Sequence, residues 1–176
     1  MNYLLTGEIT ERIIFRLLKD SDFDSWLPLF YEENVAKFLN MPPNKTPKEY
    51  CELWFEKAMN RYKNNLGGLN VLEDRTTDKM LGQCGLLIQE IEGKERLEIG
   101  YSILPEYWGK GYASEAAIKC KDFAFENSFT ENLVSNVHID NKGSEIVALR
   151  NGMKLEKRID DFNLFAIDKH DWKITY

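Results

Sequence analysis

The sequence predicts one α/β domain: a mixed, mostly antiparallel, twisted sheet flanked by helices. Three observations lead there. The hydrophobic pattern along the 176 residues gives the order β-α-α-β-β-β-α-β-α-β-β, with strand and helix periods in one chain as in layered folds. Three strand-like runs in mid-chain are separated only by short polar turns, which makes them antiparallel neighbours. A glycine-rich turn then opens a crossover helix between the third of these strands and the next one.

The elements follow in order. Residues 11–18 (ERIIFRLL) read as the first strand. Residues 20–32 read as a helix, with Asp20 or Ser21 as its N-cap and Phe23, Trp26, Leu27 and Phe30 at helical spacing. Pro42, Pro43 and Pro47 mark a break. Residues 46–65 form a clear helix: Thr46 caps it, Pro47 takes its first position, and Glu49 falls where a capping box needs it. Its Tyr50, Leu53, Trp54, Met59 and Tyr62 recur at helical spacing, and Gly67 and Gly68 end it. The strand run is 69–74, 79–91 and 96–104, with turns RTTD and EGK. The glycine stretch opens a helix to about Phe125, whose apolar face is Ala113, Ala116, Ala117, Cys120, Phe123 and Ala124. Residues 133–139 read as a strand, and 141–153 contain a short helix stopped by Gly152. Residues 154–159 and 162–167 close the chain as two strands. No repeat or linker interrupts it, so 1–176 reads as a single domain.

Composition excludes several classes of function. Hydrophobic residues make up 43% and charged residues 30%, mixed in sign, which specifies a folded soluble chain. A net charge of -6 argues against a nucleic-acid partner held through phosphates. Cys51, Cys84 and Cys120 are odd in number and far apart, with no C-x-x-C, and His138 and His170 lack ligand spacing; neither disulfides nor a metal site is expected. No apolar run reaches the ~18 residues of a membrane span. The first residues are too acidic for a signal peptide, so a cytoplasmic location without a membrane partner is expected.

The stretch PEYWGKGYASEA (105–116) carries the chemistry. Glycine in a regular element costs roughly 0.5–1 kcal/mol relative to alanine, so Gly109 and Gly111 at the mouth of a helix imply that backbone must approach something closely. Strand, glycine turn and helix is a phosphate-binding arrangement, because first-turn N–H groups are unpaired and the macrodipole is positive there. A P-loop is ruled out: Lys110 is followed by Gly111, and Leu104 stands where its first glycine belongs. A dinucleotide fingerprint fits poorly, with Ser114 at its last glycine position and antiparallel strands before it. A coenzyme A pyrophosphate loop, Q/R-x-x-G-x-G/A, fits Trp108, Gly109, Lys110, Gly111, Tyr112 and Ala113, save that Trp108 replaces the Gln or Arg.

EIGYSILPEYWGKGYASEA (98–116) followed by NKGSEIVALRNGMKLE (141–156) resembles the GNAT superfamily of acyl-CoA-dependent N-acetyltransferases. It is most similar to the branch of the ribosomal-protein N-terminal (alanine) acetyltransferases. That branch often has an aromatic residue before the first glycine, and shows N-x-x-S followed by K/R-x-G-F. Asn141, Ser144, Arg150 and Gly152 match, with Met153 in place of the Phe. The resemblance implies a GNAT-like fold, acetyl-CoA as cosubstrate and no metal. It implies that N–H groups from Gly109 to Ser114 cradle the pyrophosphate, and that the strand end at Tyr101 to Ile103 pairs with the pantetheine amides. Asn141 is then a coenzyme contact or a plain helix cap. Ser144 contacts the coenzyme, protonates the leaving thiolate, or is a solvent-exposed serine. Relatives often place a tyrosine acid in the last helix, where this chain has Ala148.

In RLEIGYSIL, Leu97, Ile99, Tyr101 and Ile103 share one face and Glu98, Gly100 and Ser102 the other. A polar face with a central glycine makes a cleft floor, on which Glu98 would accept the amine proton; otherwise it is a surface glutamate. His138 is the rival base, or a packed residue of an apolar strand. No cysteine has a histidine-paired setting, so direct attack by the amine is expected. The expected activity is acetyl transfer to a primary amine, from a small molecule or a peptide, by a monomer or homodimer. Acceptors left open are a protein α-amine, a polyamine, an antibiotic and an amino acid. The alternative is a coenzyme-binding regulatory module without transfer.

Overall fold

The computed structural model describes residues 2–172. Among these residues seven strands form one sheet: β1 (Ile13–Arg16), β2 (Gly67–Asp74), β3 (Met80–Ile91), β4 (Lys94–Ile103), β5 (Asn132–His138), β6 (Lys154–Ile159) and β7 (Phe162–Asp168). Their order is β1-β2-β3-β4-β5-β7-β6. The β4–β5 pair is parallel and the other strand pairs are antiparallel. The helices are α1 (Phe23–Trp26), α2 (Val35–Phe38), α3 (Pro47–Lys63), α4 (Tyr112–Glu126) and α5 (Lys142–Arg150). A parallel neighbour needs a crossover, and α4 supplies it.

The sheet is covered on both faces. Leu86, Ile99, Leu133 and Phe165 pack with Ala116, Ala117, Cys120 and Ala124 of α4 in one core cluster. Trp26, Phe30, Tyr50 and Phe55 of the N-terminal helices pack with Val71 and Met80 in the other. The capping box of α3 forms as its sequence predicts: the Glu49 N–H donates to Thr46 Oγ1 at 3.3 Å, and the Thr46 N–H to Glu49 Oε2 at 2.7 Å.

Two local expectations are corrected. Residues 20–32 are not one helix but a 3-10 turn (Asp20–Asp22), α1, and a second 3-10 turn (Leu27–Tyr31). Pro28 lacks the N–H that a continuing helix needs, and its ring crowds the preceding turn. Neither Asp20 nor Ser21 caps; Asp22 does the bonding instead, accepting the Lys19 N–H at 2.9 Å and a forked ion pair from Arg16. Gly67 and Gly68 do not merely end α3 but begin β2. Gly67 has φ +68°, and a Cβ there would collide with the Leu86 carbonyl.

The feature that makes a site is a gap. The registered pairs of β4 and β5 are Leu97 with Leu133 and Glu98 with Val134. Ser135 Oγ then bonds the Ile99 carbonyl at 2.8 Å, and the strands diverge. The Leu104 N–H still bonds Leu81 of the β3 side. Backbone groups alternate in direction along a strand, so those of Tyr101 and Ile103 face the gap.

Candidate active site

The gap opens into a cleft of about 620 Å³ between the end of β4, the glycine turn, α2 and the start of α5. Pro105–Tyr107 make a 3-10 turn, and Gly109 (φ +74°) and Gly111 (φ +83°) turn the chain into α4. These left-handed conformations favour glycine, so backbone geometry requires both residues in addition to any close approach. Gly111 is the N-cap and carries no side chain; the first N–H groups of α4 are left for another acceptor. The turn is braced from behind. Arg12 donates to the Lys110 carbonyl at 2.9 Å, pairs with Glu115, and lies 4.2 Å from the Tyr112 ring centroid.

Most of the residues expected to hold a coenzyme line this cleft: Tyr101, Ile103, Trp108, Gly109, Gly111, Tyr112, Ala113, Ser114 and Asn141. Lys110 does not. Its ammonium lies over the Tyr107 ring, 5.2 Å from the centroid, and its carbonyl is taken by Arg12, which leaves it only its N–H. Trp108 Nε1 donates to the Ile103 carbonyl at 2.7 Å. That carbonyl is thus spent inside the protein, while the Ile103 N–H and both Tyr101 groups remain. The cleft wall adds the cations Lys142 and Arg150. Unpaired strand-edge amides, open helix N–H groups and cations together suit the amides and phosphates of coenzyme A.

A second cavity of about 360 Å³ lies on the far side of the gap, between α3 and the sheet. Tyr101, Asn141 and Ser144 line both cavities, so they mark the junction. Tyr101 O–H donates to the Ser144 carbonyl at 2.7 Å. Asn141 Oδ1 accepts the Ser144 N–H at 3.1 Å, so Asn141 caps α5. Its Nδ2 has no partner among the described residues. Replacing Asn141 with aspartate is expected to keep the melting temperature, since aspartate caps equally well, and to weaken acetyl-CoA binding. Calorimetry beside thermal unfolding checks this; an unchanged dissociation constant removes the coenzyme contact.

Glu98 and Gly100 lie on the wall of the second cavity. Glu98 Oε2 accepts from Gln89 Nε2 at 2.8 Å, and Oε1 from the Asn136 N–H at 3.3 Å. Arg61 in turn donates to Gln89 Oε1 at 2.8 Å. Burial pushes the Glu98 carboxyl above its ordinary value, against the opposing pull of these hydrogen bonds and of Arg61 and Lys57. His138 also lines the cavity, but its Nδ1 accepts the Asp140 N–H at 3.1 Å. In the neutral ring the proton is then on Nε2, so no free lone pair is left for a base. Ala148 is 1% exposed, sits in the core and lines neither cavity, so this position supplies no acid.

Sequence reasoning missed Gln89, Arg61, Lys57 and Phe38 at the second cavity. Arg61 had a readable signal: it sits one turn beyond Ala58 and two beyond Trp54, a cation on the inward face of α3. The others are brought in by pairings distant in sequence. None of the three free cysteines lines either cavity. Burial pushes the Cys51 thiol up to about 12 and Cys120 well above its ordinary value, so neither is a thiolate nucleophile.

A sheet whose two parallel strands part, with two cavities that meet at the gap, is the architecture of an acyltransferase. Residues 12–154 match the acetyltransferase (GNAT) domain, and the chain belongs to that family of N-acetyltransferases. It is 30% identical to the uncharacterized protein YkkB of Bacillus subtilis (strain 168) over 160 residues, covering 90% of this chain and 91% of that one. Its fold is similar to RimL, a ribosomal L7/L12 alpha-N-protein acetyltransferase solved with coenzyme A (TM-score 0.74, 17% identity, 92% of this chain and 97% of that one). It is similar also to spermidine N-acetyltransferase from Vibrio cholerae, solved with CoA and spermine (TM-score 0.70, 20% identity, 92% and 98%). No helix among the described residues is long and apolar enough to cross a membrane.

Proposed function

We propose that the protein moves the acetyl group of acetyl-CoA to an α-amine, of a peptide or an amino acid, by direct attack with Glu98 as base. The observation that carries this reading is the Glu98 carboxyl on the acceptor side of the junction, raised by burial and oriented by Gln89 and the Asn136 N–H. A base with a raised pKa is a stronger base once ionised.

The coenzyme supplies an acetyl thioester. Tyr101 and Ile103 offer backbone groups to its pantetheine, the N–H groups from Gly109 to Ser114 meet its pyrophosphate, and Arg150 or Lys142 meets a phosphate. On the other side, Glu98 accepts the proton that the attacking nitrogen loses. Ser144 Oγ, which has no partner among the described residues, is the donor available to the departing sulfur. An alkyl thiolate is a far better leaving group than an alkoxide and departs without a strong acid, so a hydrogen bond is enough.

The acceptor class follows from how much work the base must do. An α-amine with pKa 7.7–8.0 is roughly 10–20% neutral at pH 7, whereas a lysine-like amine near 10.4 is neutral in about 0.04% of molecules. A single carboxylate with no strong acid opposite suits the first. The cavity also holds Lys57 and Arg61 beside Glu98 and Glu90, so it is not the strongly acidic cavity that a polycation needs. Thiol release from acetyl-CoA with a panel of amines tests the reading. Peptide α-amines should show a higher kcat/KM at pH 7 than spermidine; faster turnover of spermidine overturns the assignment.

A further inference from the structure

The acceptor cavity holds more positive charge than proton removal requires. Lys57 and Arg61 project into it from the same face of α3 as Trp54 and Ala58. Arg61 is spent within the protein: its Nη1 donates to the carbonyls of Leu66 at 3.2 Å and Ile88 at 3.0 Å, and its Nη2 to Gln89. Lys57 has no hydrogen bond or ion pair among the described residues. The acids on the cavity wall are Glu98, which serves the reaction, and Glu90 at the exposed rim. Lys57 is an exposed residue whose ammonium is held below its ordinary value by partial desolvation and the Arg61 charge, against the opposing pull of Glu98; it has a charged neighbour but no hydrogen-bonded counter-ion.

A second, independent observation lies on the floor of the same cavity. Gln83 is fully buried (0% exposed); its Oε1 accepts from Trp54 Nε1 at 3.2 Å, while its Nε2 has no partner. A buried amide donor left unpaired is costly and rare. An oxygen acceptor arriving with the substrate removes that cost.

We propose that the acceptor is an aminocarboxylate: an amine bearing a carboxylate a few bonds away, whose negative charge is taken by Lys57 and whose oxygen can accept from Gln83 Nε2. The ammonium end belongs at Glu98 and the anionic end at Lys57, so the cavity is complementary to a zwitterion and not to a polycation. This deepens the α-amine reading and rests on it. Two sources share the chemistry, a free acidic amino acid and a peptide that begins with Asp or Glu, and the test separates them.

The experiment measures dissociation constants by calorimetry on protein saturated with coenzyme A, and kcat/KM by thiol release. The ligands are the amidated tripeptides Asp-Ala-Ala, Ala-Ala-Ala and Lys-Ala-Ala, together with free aspartate. The Asp peptide or free aspartate should bind about fivefold tighter than the Ala peptide, the factor given by one partly exposed ion pair, and the Lys peptide should bind worst. Lys57→Gln should bring the Asp-to-Ala ratio close to one, and Lys57→Glu should turn the preference toward the Lys peptide. Gln83→Glu keeps the acceptor for Trp54 but removes the donor, and should weaken the acidic ligands further. Equal binding of the three peptides by the parent protein overturns the proposal, as does an acidic preference that survives Lys57→Gln. The two readings fail separately. Acetylation of all peptides at equal efficiency keeps the activity and removes the carboxylate site. Lys57-dependent binding of the Asp peptide without thiol release keeps the site and removes the activity.

Discussion

Replacing Glu98 with glutamine is expected to lower turnover about 10²–10⁴-fold, the usual loss with a general base, while acetyl-CoA affinity stays at the parent value. Glutamine keeps the size and can still meet Gln89, but it cannot accept a proton. The pH profile gives the sharper reading. In the parent, rate rises with pH as Glu98 ionises, and burial sets that limb above the ordinary carboxylate range. A second limb follows from the amine itself, near 7.7–8.0 for an α-amine. The variant should lose the first limb and keep the second. Stability should move the other way. A carboxyl whose folded pKa is raised binds its proton more tightly in the folded state, so stability falls as pH rises from the unfolded to the folded pKa. Removing that charge should leave the variant at least as stable as the parent at pH 7, by thermal unfolding. An undiminished rate across pH 6 to 9 would make Glu98 a structural residue and end the base assignment.

Replacing Gly111 with valine is expected to weaken acetyl-CoA binding at least tenfold, about 1.4 kcal/mol. Backbone strain carries most of this effect. Gly111 has φ +83°, which a β-branched residue resists, whereas the nearest atom to an added Cβ is Arg12 Nη2 at an ordinary 3.5 Å. Relaxing the strain re-aims the first N–H groups of α4, away from whatever they bind. Gly111→Asn separates conformation from bulk, because asparagine tolerates the left-handed region; it should lose far less affinity than valine. Thermal unfolding confirms that each variant is folded. A folded valine variant with parental affinity would move the pyrophosphate site elsewhere.

Local chemistry was readable wherever a few adjacent residues settle it. Thr46, Pro47 and Glu49 announce the start of α3, because a capping box is closed within four residues. The alternation in RLEIGYSIL puts Glu98 and Gly100 on one face, because strand side chains alternate strictly. Trp108 to Ser114 announce a turn into a helix with open N–H groups. Pro28 was equally visible, yet the apolar spacing around it outweighed its meaning in the reading, and the predicted helix 20–32 proved to be three short pieces.

Sequence alone therefore settled the strand order in time, the glycine turn, the family resemblance and the face on which Glu98 lies. These depend on period, capping and turn chemistry, which act over a few residues. It could not show that Arg61, Gln89 and Glu98 form one hydrogen-bonded chain, that His138 has given its Nδ1 to the Asp140 N–H, or that Trp108 occupies the Ile103 carbonyl. Nor could it show that Lys110 lies outside the larger cleft, or that Lys57 lines the second cavity with no hydrogen bond among the described residues. Those facts depend on where β4 and β5 part after Glu98 and Val134 and on how α3 lies across the sheet. Both are products of long-range pairing and packing, in which the partners are chosen by the whole core and not by their neighbours along the chain.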